Sequence, residues 1–307
     1  MTVTEFKNDN FYPSAKVLAA SENVYGGKII TLEIEFHRFV LAEFNTHRNI
    51  SKSFQSSRAV PTERLLELVS NSPAIPLYWG KNQPGMTAAE ECEETIGGCE
   101  MYPGDDRESF WRETAKIASE RALAMHEAGY HKQIVNRIIE PYLPVKGVVS
   151  GTARAWNDFL KLRDHAAAQP EIRALAIEIK DALSATKFKN LRDGQWHLPY
   201  IGEEEEHLTL GDKVITSTSC CAQVSYRRLD KSEETANRVY DRLNLPEAGA
   251  FNDDPPHFSP AEHIARATHH NIETSFARGG NFHDIGWFQF RKMLEQGVEE
   301  NYLTELE

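Results

Sequence analysis

The stretch GKIITLEIEF, residues 27 to 36, alternates apolar and polar side chains. Ile30, Leu32, Ile34 and Phe36 fall on one face of an extended chain, because successive side chains of a strand point to opposite sides. This period of two predicts a strand with one buried face. The segments that follow it mostly have helical spacing, so a small sheet built on this strand decides the fold.

Most of the remaining chain is predicted as helix. Pro141 is expected to end the second long helix, and Pro170 to open a later one, where proline is tolerated in the first turn. The predicted helices cover 37–48, 63–70, 107–129, 131–142, 152–163, 170–185, CCAQVSYRR, ETANRVYDRLNL and the segment after SPAEH. Residues 71–105 are predicted as a loop, and KVITSTS, residues 213–219, as a short strand.

No internal repeat and no long linker divides the sequence. The predicted fold class is therefore α+β, with a small antiparallel sheet packed with several long helices in one domain, residues 1–307.

Composition narrows the kind of protein. The net charge of −12 is the opposite of what a nucleic-acid backbone requires, so no nucleic-acid partner is expected. No apolar run approaches the roughly 20 residues that span a bilayer, and the N-terminus resembles no signal peptide. Four cysteines in a chain this long form no disulfide framework. We expect a soluble, cytoplasmic protein with no membrane partner, in which a local basic pocket can bind a small anion.

The stretch NTHRNISKSFQSSRAVP, residues 45–61, is the strongest candidate for such a pocket, and we call it the arginine segment. Arg48 and Arg58 stand ten residues apart with serines between them. A guanidinium group presents a fork of donors that matches phosphate, and serine hydroxyls add further donors. The alternative is a hydroxyl-rich loop that carries two surface arginines.

A second candidate is GTARAWNDFLKLR, residues 151–163. Helical spacing places Arg154, Asp158 and Leu162 on one face, with Arg163 at the helix end. The alternative is an intrahelical pair between Arg154 and Asp158, worth only about 0.3–0.5 kcal/mol.

A third segment, HFSPAEHIARATHH, invites a metal interpretation through its histidines, but the spacing does not fit. His263 and His269 are six residues apart, whereas a helical zinc pair is four apart with a glutamate between. Cys92 with Cys99, and the adjacent Cys220 and Cys221, also match no zinc spacing. No metal site is expected.

The sequence contains no glycine-rich phosphate loop, no nucleophile elbow and no familiar catalytic triad order. Basic residues and hydroxyls without a conventional nucleophile favour a site that binds anions and leaves the chemistry to a cofactor.

The arginine segment resembles the signature R-H-R-x-x-S-x-N-E-x-S-x-R-Y of the flavin-dependent thymidylate synthases. Residues that match it at the same spacing are His47, Arg48, Ser51, Ser56 and Arg58. TARAWNDFLKLR and AQPEIR resemble that family's N-A-R-S-L-x-x-F-L-x-L-R and A-Q-W-E-I-R, and GYHKQIVNRIIEP places Arg137 at a further family arginine. HFSPAEH is similar to the family's H-x-S-P-F-E-H, but it follows the arginine segment instead of preceding it. The chain thus resembles a rearranged, phage-type branch with permuted motif order.

The resemblance implies a homotetramer that converts dUMP to dTMP, with methylenetetrahydrofolate as the carbon donor and NADPH-reduced FAD as the hydride source. No enzyme cysteine would attack the pyrimidine. Carried over by position, the catalytic residues would be Arg163 and Ser56. The substrate-binding residues would be Ser56, Arg58, Arg137 and Arg163. The cofactor-binding residues would be His47, Arg48, His263, Asp158 and Arg154.

In this assignment Arg163 stabilises negative charge on the uracil ring, and Arg58 binds the nucleotide phosphate. Arg137 reaches that phosphate from another subunit, and His263 lies against the flavin or its adenine portion.

Thr46, Ser53, Phe54 and Ala59 depart from the signature. Thr46 replaces an arginine and Phe54 a glutamate, and in the second segment Asp158 stands where the family has asparagine. These changes leave open a related flavin-dependent hydroxymethylase acting on dUMP or dCMP, or a nucleotide-binding homologue without catalysis. A metal-dependent hydrolase that uses the histidines of HFSPAEHIARATHH is an alternative from a different class.

Overall fold

The predicted strand lies at the centre of a five-stranded sheet. The computed structural model describes residues 11–98, 104–226, 228–246, 253–268, 276–283 and 286–297. The strand order is β3-β4-β2-β1-β5, and all neighbours are antiparallel except the parallel pair of β1 and β5. The strands are β1 (Ser14–Asn23), β2 (Lys28–His37), β3 (Ser51–Phe54), β4 (Pro144–Thr152) and β5 (Lys189–Leu191).

A second, antiparallel sheet has the order β6-β7-β8. Its strands are β6 (Trp196–His197), β7 (Ala265–Ala267) and β8 (Trp287–Gln289). The helices of the described residues are α1 (Leu41–Asn45), α2 (Thr62–Asn71), α3 (Arg107–Glu127), α4 (Lys132–Val135), α5 (Ala153–Arg163), α6 (Pro170–Ser184), α7 (Leu210–Ala222), α8 (Glu233–Asp241), α9 (Phe276–Gly279) and α10 (Phe290–Gln296).

The apolar face of β2 supports the main core. Ile30, Leu32, Ile34 and Phe36 are buried together with Trp156 and Phe159 of α5 and with side chains of α6. Each such side chain contributes roughly 1.5–3 kcal/mol when it is fully removed from water. This packing fixes α5 against the sheet and so determines where its C-terminal residue, Arg163, lies.

The opposite face of the sheet is polar where β2, β4 and β3 run side by side. Thr31, Ser150 and Ser51 lie in one row across these strands, since Thr31 pairs with Ser150 and Ser150 with Ser51. All three side chains are buried beneath the C-terminal part of the chain. Their hydroxyl groups therefore need partners from that part.

The α+β fold class is confirmed, and so are the predicted strand at 27–36 and the predicted helices at 63–70, 107–129, 152–163 and 170–185. The segment 131–142 is helical only as the short α4 and a 3-10 helix, Asn136–Tyr142, which contains Pro141 instead of ending before it. Residues 72–98 and 104–106 contain neither helix nor strand, as predicted, apart from isolated bridges.

Two predictions are wrong. KVITSTS lies inside helix α7, and the segment after SPAEH begins with strand β7 instead of a helix. CCAQVSYRR is helical only in part, through the end of α7 and the 3-10 helix Gln223–Ser225. Within the ranges that the structure describes, no helix combines the length and apolarity needed to cross a bilayer.

Candidate functional site

Arg163 joins the two segments that the sequence singled out. Its Nε donates to Nε2 of His47 at 2.8 Å. Its Nη2 lies 3.3 Å from the carbonyl oxygen of Glu43 and 3.2 Å from Oγ1 of Thr46. The last residue of α5 is thereby held against the end of α1 and the start of the arginine segment.

His47 accepts this hydrogen bond as a neutral ring. Partial burial, followed by the nearby charges of Arg163 and Lys52, lowers the pKa of His47 to about 4. Because Nε2 is the acceptor, the ring proton is on Nδ1 at neutral pH. The ring packs edge-on against Phe159 with centroids 4.7 Å apart, and Lys52 Nζ donates to the His47 carbonyl at 2.5 Å.

Strand β3 carries the middle of the arginine segment. Among the strands of the described residues it lies at the edge of the main sheet, paired with β4. The aromatic ring of Phe54 covers Gly147 of β4, where an added Cβ would lie 2.2 Å from the ring. Glycine is therefore required at this crossing. Phe54 also packs edge-on against Phe36 and Phe44. The family's glutamate position is thus occupied by a side chain of the core.

Three arginines of the candidate site lack an acidic partner among the described residues. Arg48, Arg58 and Arg154 are exposed, and none forms an ion pair there. The intrahelical pair between Arg154 and Asp158 is not formed either; within the described part, Asp158 instead lies 3.8 Å from Lys161 Nζ. Exposed guanidinium groups without a carboxylate partner are suited to an anionic ligand.

The C-terminal end of the arginine segment lies beside α4 and the 3-10 helix that follows it. Asn136 Nδ2 donates to the carbonyl oxygens of Ser57 at 2.7 Å and Val60 at 3.1 Å, and Lys132 Nζ donates to that of Ala59 at 3.0 Å. Arg137 follows Asn136 directly, so it lies close to this end of the segment within the same chain.

Arg137 has a carboxylate partner, unlike Arg58. Its Nη1 is 2.9 Å from Glu140, which also pairs with Arg38 at 3.2 Å. Arg38 Nη1 in turn donates to the Gln55 carbonyl at 3.3 Å. Two guanidinium groups share one carboxylate here, which leaves a net positive charge beside the segment.

Ser56 is held through its main chain. Its backbone N–H donates to Oγ of Ser225 at 3.2 Å, and no hydrogen bond occupies the Ser56 hydroxyl within the described part. This hydroxyl is therefore available to a ligand.

His263 lies in a buried hydrogen-bond chain that crosses the polar face of the sheet. We call it the histidine chain. Its members, in order of contact, are Ser21, His197, Thr31, Ser150, His263 and Ser53, with neighbouring side chains 2.6 to 2.9 Å apart. Both histidines are fully buried, which lowers the pKa of each to about 3, so both are neutral.

Both ring nitrogens of His263 are used by serine hydroxyls of the main sheet. In the chain as described, His263 thus presents no polar atom to a ligand. It forms a hydrogen bond with the Ser53 hydroxyl of β3, while Asn281 and Gln289 donate to the Ser51 hydroxyl of the same strand. The C-terminal part of the chain therefore supports the strand on which the arginine segment depends.

The other residues considered for metal or thiol chemistry form no such site among the described residues. His257 is exposed and Glu262 pairs with Arg291, while His269, His270 and Cys99 lie outside the described residues. No group of three potential metal ligands occurs in the part of the chain that the structure covers. Burial raises the pKa of Cys220 to about 12, so its thiol is not a thiolate at neutral pH.

Sequence reasoning missed two members of this arrangement. Lys52 is a third cation of the arginine segment, and its position within the motif was a signal that could have identified it. His197 stands alone in GQWHLPY, where no pattern points to its role in the histidine chain.

The anchored Arg163 and the exposed arginines give this α+β fold a candidate site for an anion. The chain belongs to the family described as thymidylate synthase complementing protein, whose sequence model matches residues 26–186, more than half of the chain. The matched stretch contains the arginine segment, α5 and α6, and leaves HFSPAEH outside.

Solved structures resemble parts of the chain at low identity. A UMP/dUMP methylase PolB from Streptomyces cacaoi bound with 5-Br UMP is 14% identical, with a TM-score of 0.40 over 56% of this chain and 88% of that one. The same methylase bound with 5-Br dUMP is 19% identical, with a TM-score of 0.37 over 51% and 67%. Thymidylate Synthase X from Helicobacter pylori with FAD and dUMP is 21% identical, with a TM-score of 0.34 over 50% and 67%. Similarities this weak do not identify what this chain binds. No protein of curated function matches the sequence.

Proposed function

We propose that this chain is a flavin-dependent thymidylate synthase of rearranged motif order, which converts dUMP to dTMP with methylenetetrahydrofolate as carbon donor and FAD reduced by NADPH. The observation that carries the proposal is the contact of Arg163 with His47. It brings together two segments that separately match the signature of the family to which the chain belongs.

The nucleotide phosphate is assigned to the C-terminal end of the arginine segment. Arg58 is exposed and has no carboxylate partner in the described part, so no ion pair must break when it binds an anion. Arg137 adds positive charge nearby, and the Ser56 hydroxyl supplies a neutral donor. Arg58 is the stronger phosphate ligand in this assignment, because Arg137 already contacts Glu140.

Arg163 is assigned to the pyrimidine ring. Its guanidinium group is fixed by three acceptors. A fixed cation beside a ring carbonyl stabilises negative charge that develops on that oxygen, and it requires little reorganisation during the reaction. Ser56, on the same segment as the phosphate ligand, would orient the ring.

Several residues of the candidate site fit FAD in their chemistry. Arg48 and Arg154 are unpaired cations that suit a pyrophosphate, while Glu43 Oε2 is a buried acceptor without a partner among the described residues. A ligand with both anionic groups and N–H donors satisfies this set, as FAD does. Arg48 and Arg154 would hold its phosphates, with His47 and Asp158 beside its ring. When bound and reduced, FAD would supply the hydride that completes the methyl group.

His263 enters this proposal as a support. Because its nitrogens bind Ser150 and Ser53, it acts on the cofactor region by holding β3 in place. The assembly is proposed to be a homotetramer in the cytoplasm, and light scattering of the purified protein tests the tetramer.

The first experiment is the visible absorption spectrum of the purified protein with and without added FAD. Oxidised-flavin bands that bleach with NADPH and change on addition of dUMP are the expected result. Mass spectrometry of the nucleotide after incubation with methylenetetrahydrofolate then separates a methylated product from a hydroxymethylated one, and dCMP replaces dUMP in a parallel sample. Absence of flavin binding, with dUMP binding retained, would instead identify a nucleotide-binding homologue without this chemistry.

A further inference from the structure

Arg163 uses a defined subset of its hydrogen-bond donors. A guanidinium group has five N–H donors: one on Nε and two on each terminal nitrogen. The Nε donor is taken by His47, and the two Nη2 donors face Glu43 O and Thr46 Oγ1. Both donors of Nη1 are without a partner in the described part of the chain.

We infer that Thr46 and His47 are positioning residues that orient Arg163 so that Nη1 alone meets the ligand, an inference that rests on the proposed function. His47 can accept because its ring is neutral, and its orientation is fixed by the edge-on contact with Phe159. Thr46 can accept because its own hydroxyl hydrogen is donated to the Glu43 carbonyl at 2.7 Å. The two acceptors thus act on different nitrogens of the same guanidinium.

Thr46 is the informative member of this pair because it departs from the family signature. An arginine at this position has no acceptor to offer and would place a second positive charge beside the first. With threonine, Arg163 gains a hydrogen bond and loses a repulsive neighbour. The substitution therefore changes how Arg163 is held without changing Arg163 itself.

The remaining donors limit the ligand atom that Arg163 can bind. Bidentate binding of a phosphate or carboxylate requires donors on two different nitrogens. Here both of the other nitrogens are occupied, so Nη1 suits a single oxygen of carbonyl type. Arg163 consequently binds the carbonyl edge of a pyrimidine, and the phosphate is left to other arginines.

Three variants test the inference. Thr46→Val keeps the shape of the side chain and removes the acceptor, Thr46→Ser retains a hydroxyl, and Thr114→Val removes an exposed hydroxyl that donates to a helix carbonyl in the same local way. For each, we would measure the dUMP Kd, the Kd of deoxyribose phosphate and the single-turnover rate of flavin oxidation with dUMP and methylenetetrahydrofolate. Thermal unfolding of each variant controls for folding.

In Thr46→Val the misoriented Arg163 should lower the single-turnover rate of flavin oxidation by about tenfold. A small displacement of a reacting group slows the reaction more than it weakens binding of the substrate. The Kd of deoxyribose phosphate should stay unchanged, Thr46→Ser should recover most of the rate, and Thr114→Val should match the wild type. Equal rates in Thr46→Val and the wild type would overturn the inference. So would equally slow Thr46→Val and Thr46→Ser, because the hydroxyl would then not be the cause. Failure of the wild type to bind flavin and dUMP would refute the proposed function, and the inference with it, before any variant is compared.

Discussion

Thr31→Val should destabilise the fold through the histidine chain. The Thr31 hydroxyl is fully buried and lies 2.6 Å from Ser150 Oγ and 2.8 Å from His197 Nε2. Valine has nearly the same shape, so the substitution opens no cavity and removes only the shared hydrogen-bonding group. The perturbation is therefore confined to the middle of the chain.

The expected magnitude follows from the two partners that remain. His197 Nε2 would be a buried nitrogen without a partner, which costs about 1–3 kcal/mol. Ser150 would lose one of its two hydrogen bonds, which costs about 1 kcal/mol, and the added methyl group returns somewhat less than that. The free energy of unfolding should fall by about 2 kcal/mol, a large part of the roughly 5–15 kcal/mol typical of proteins.

Equilibrium urea unfolding at neutral pH, followed by tryptophan fluorescence, measures this loss. Thr114→Val is the matched control, because its hydroxyl is exposed and bonds only to the carbonyl of Phe110. We expect the control to change the free energy by less than about 0.5 kcal/mol. A Thr31→Val protein that is as stable as this control would refute the reasoning, since it would mean that the buried contacts contribute nothing net.

Three further predictions concern pH, backbone packing and the phosphate site. Both histidines of the histidine chain have a folded pKa of about 3, below the unfolded value of about 6.5, so the unfolded state binds more protons as the pH falls through that range. The free energy of unfolding present above pH 6.5 should therefore decrease by about 2 kcal/mol per histidine at pH 5. An unchanged urea midpoint between pH 7.5 and pH 5 would contradict this. Gly147→Ala should lower the free energy of unfolding by roughly 1–3 kcal/mol, because its Cβ would overlap the Phe54 ring. Gly202→Ala is the control, since Gly202 also has extended backbone and an added Cβ there meets no atom nearer than 3.8 Å; an equal loss in both variants would contradict the steric explanation. Arg58→Ala should raise the KM for dUMP at least about tenfold with little change in kcat, as expected for a contact made equally in ground and transition states, and a fall in kcat alone would reassign the residue.

The fold was predictable where periodicity and burial agree. GKIITLEIEF is a strand in the structure, and α3, α5 and α6 occupy the segments with helical spacing. The prediction of a single buried face was incomplete, because Ile29 and Thr31 on the other face of β2 are buried as well. The strand prediction for KVITSTS was wrong because its valine, isoleucine and threonines favour strands. In the structure it is part of helix α7, in which Thr216 to Cys221 are all buried. Strand β4 was missed because it begins at Pro144 and contains two glycines, which weaken any strand pattern.

The candidate site was predictable as a set of residues and not as an arrangement. The arginine segment could be selected from its guanidinium groups among hydroxyls, which suit phosphate, and Arg163 from the resemblance of its segment to a family motif. Their contact could not, since it depends on how α5 packs beside α1. The environment of His263 could not be predicted from the sequence either, because the hydroxyl groups that contact it come from distant strands. Whether the individual residues act as proposed stays a prediction.

The histidine chain has a consequence for where its protons lie. Six neutral groups share five hydrogen bonds, and each group has a single hydrogen to donate. Neither central hydroxyl, Thr31 or Ser150, can keep its hydrogen out of the chain without burying it unpaired, so all the bonds point the same way. If His197 carries its proton on Nε2, then His263 does too; if the direction reverses, both carry it on Nδ1. The two rings are therefore locked into the same tautomer, and nitrogen chemical shifts measured on one report the state of the other.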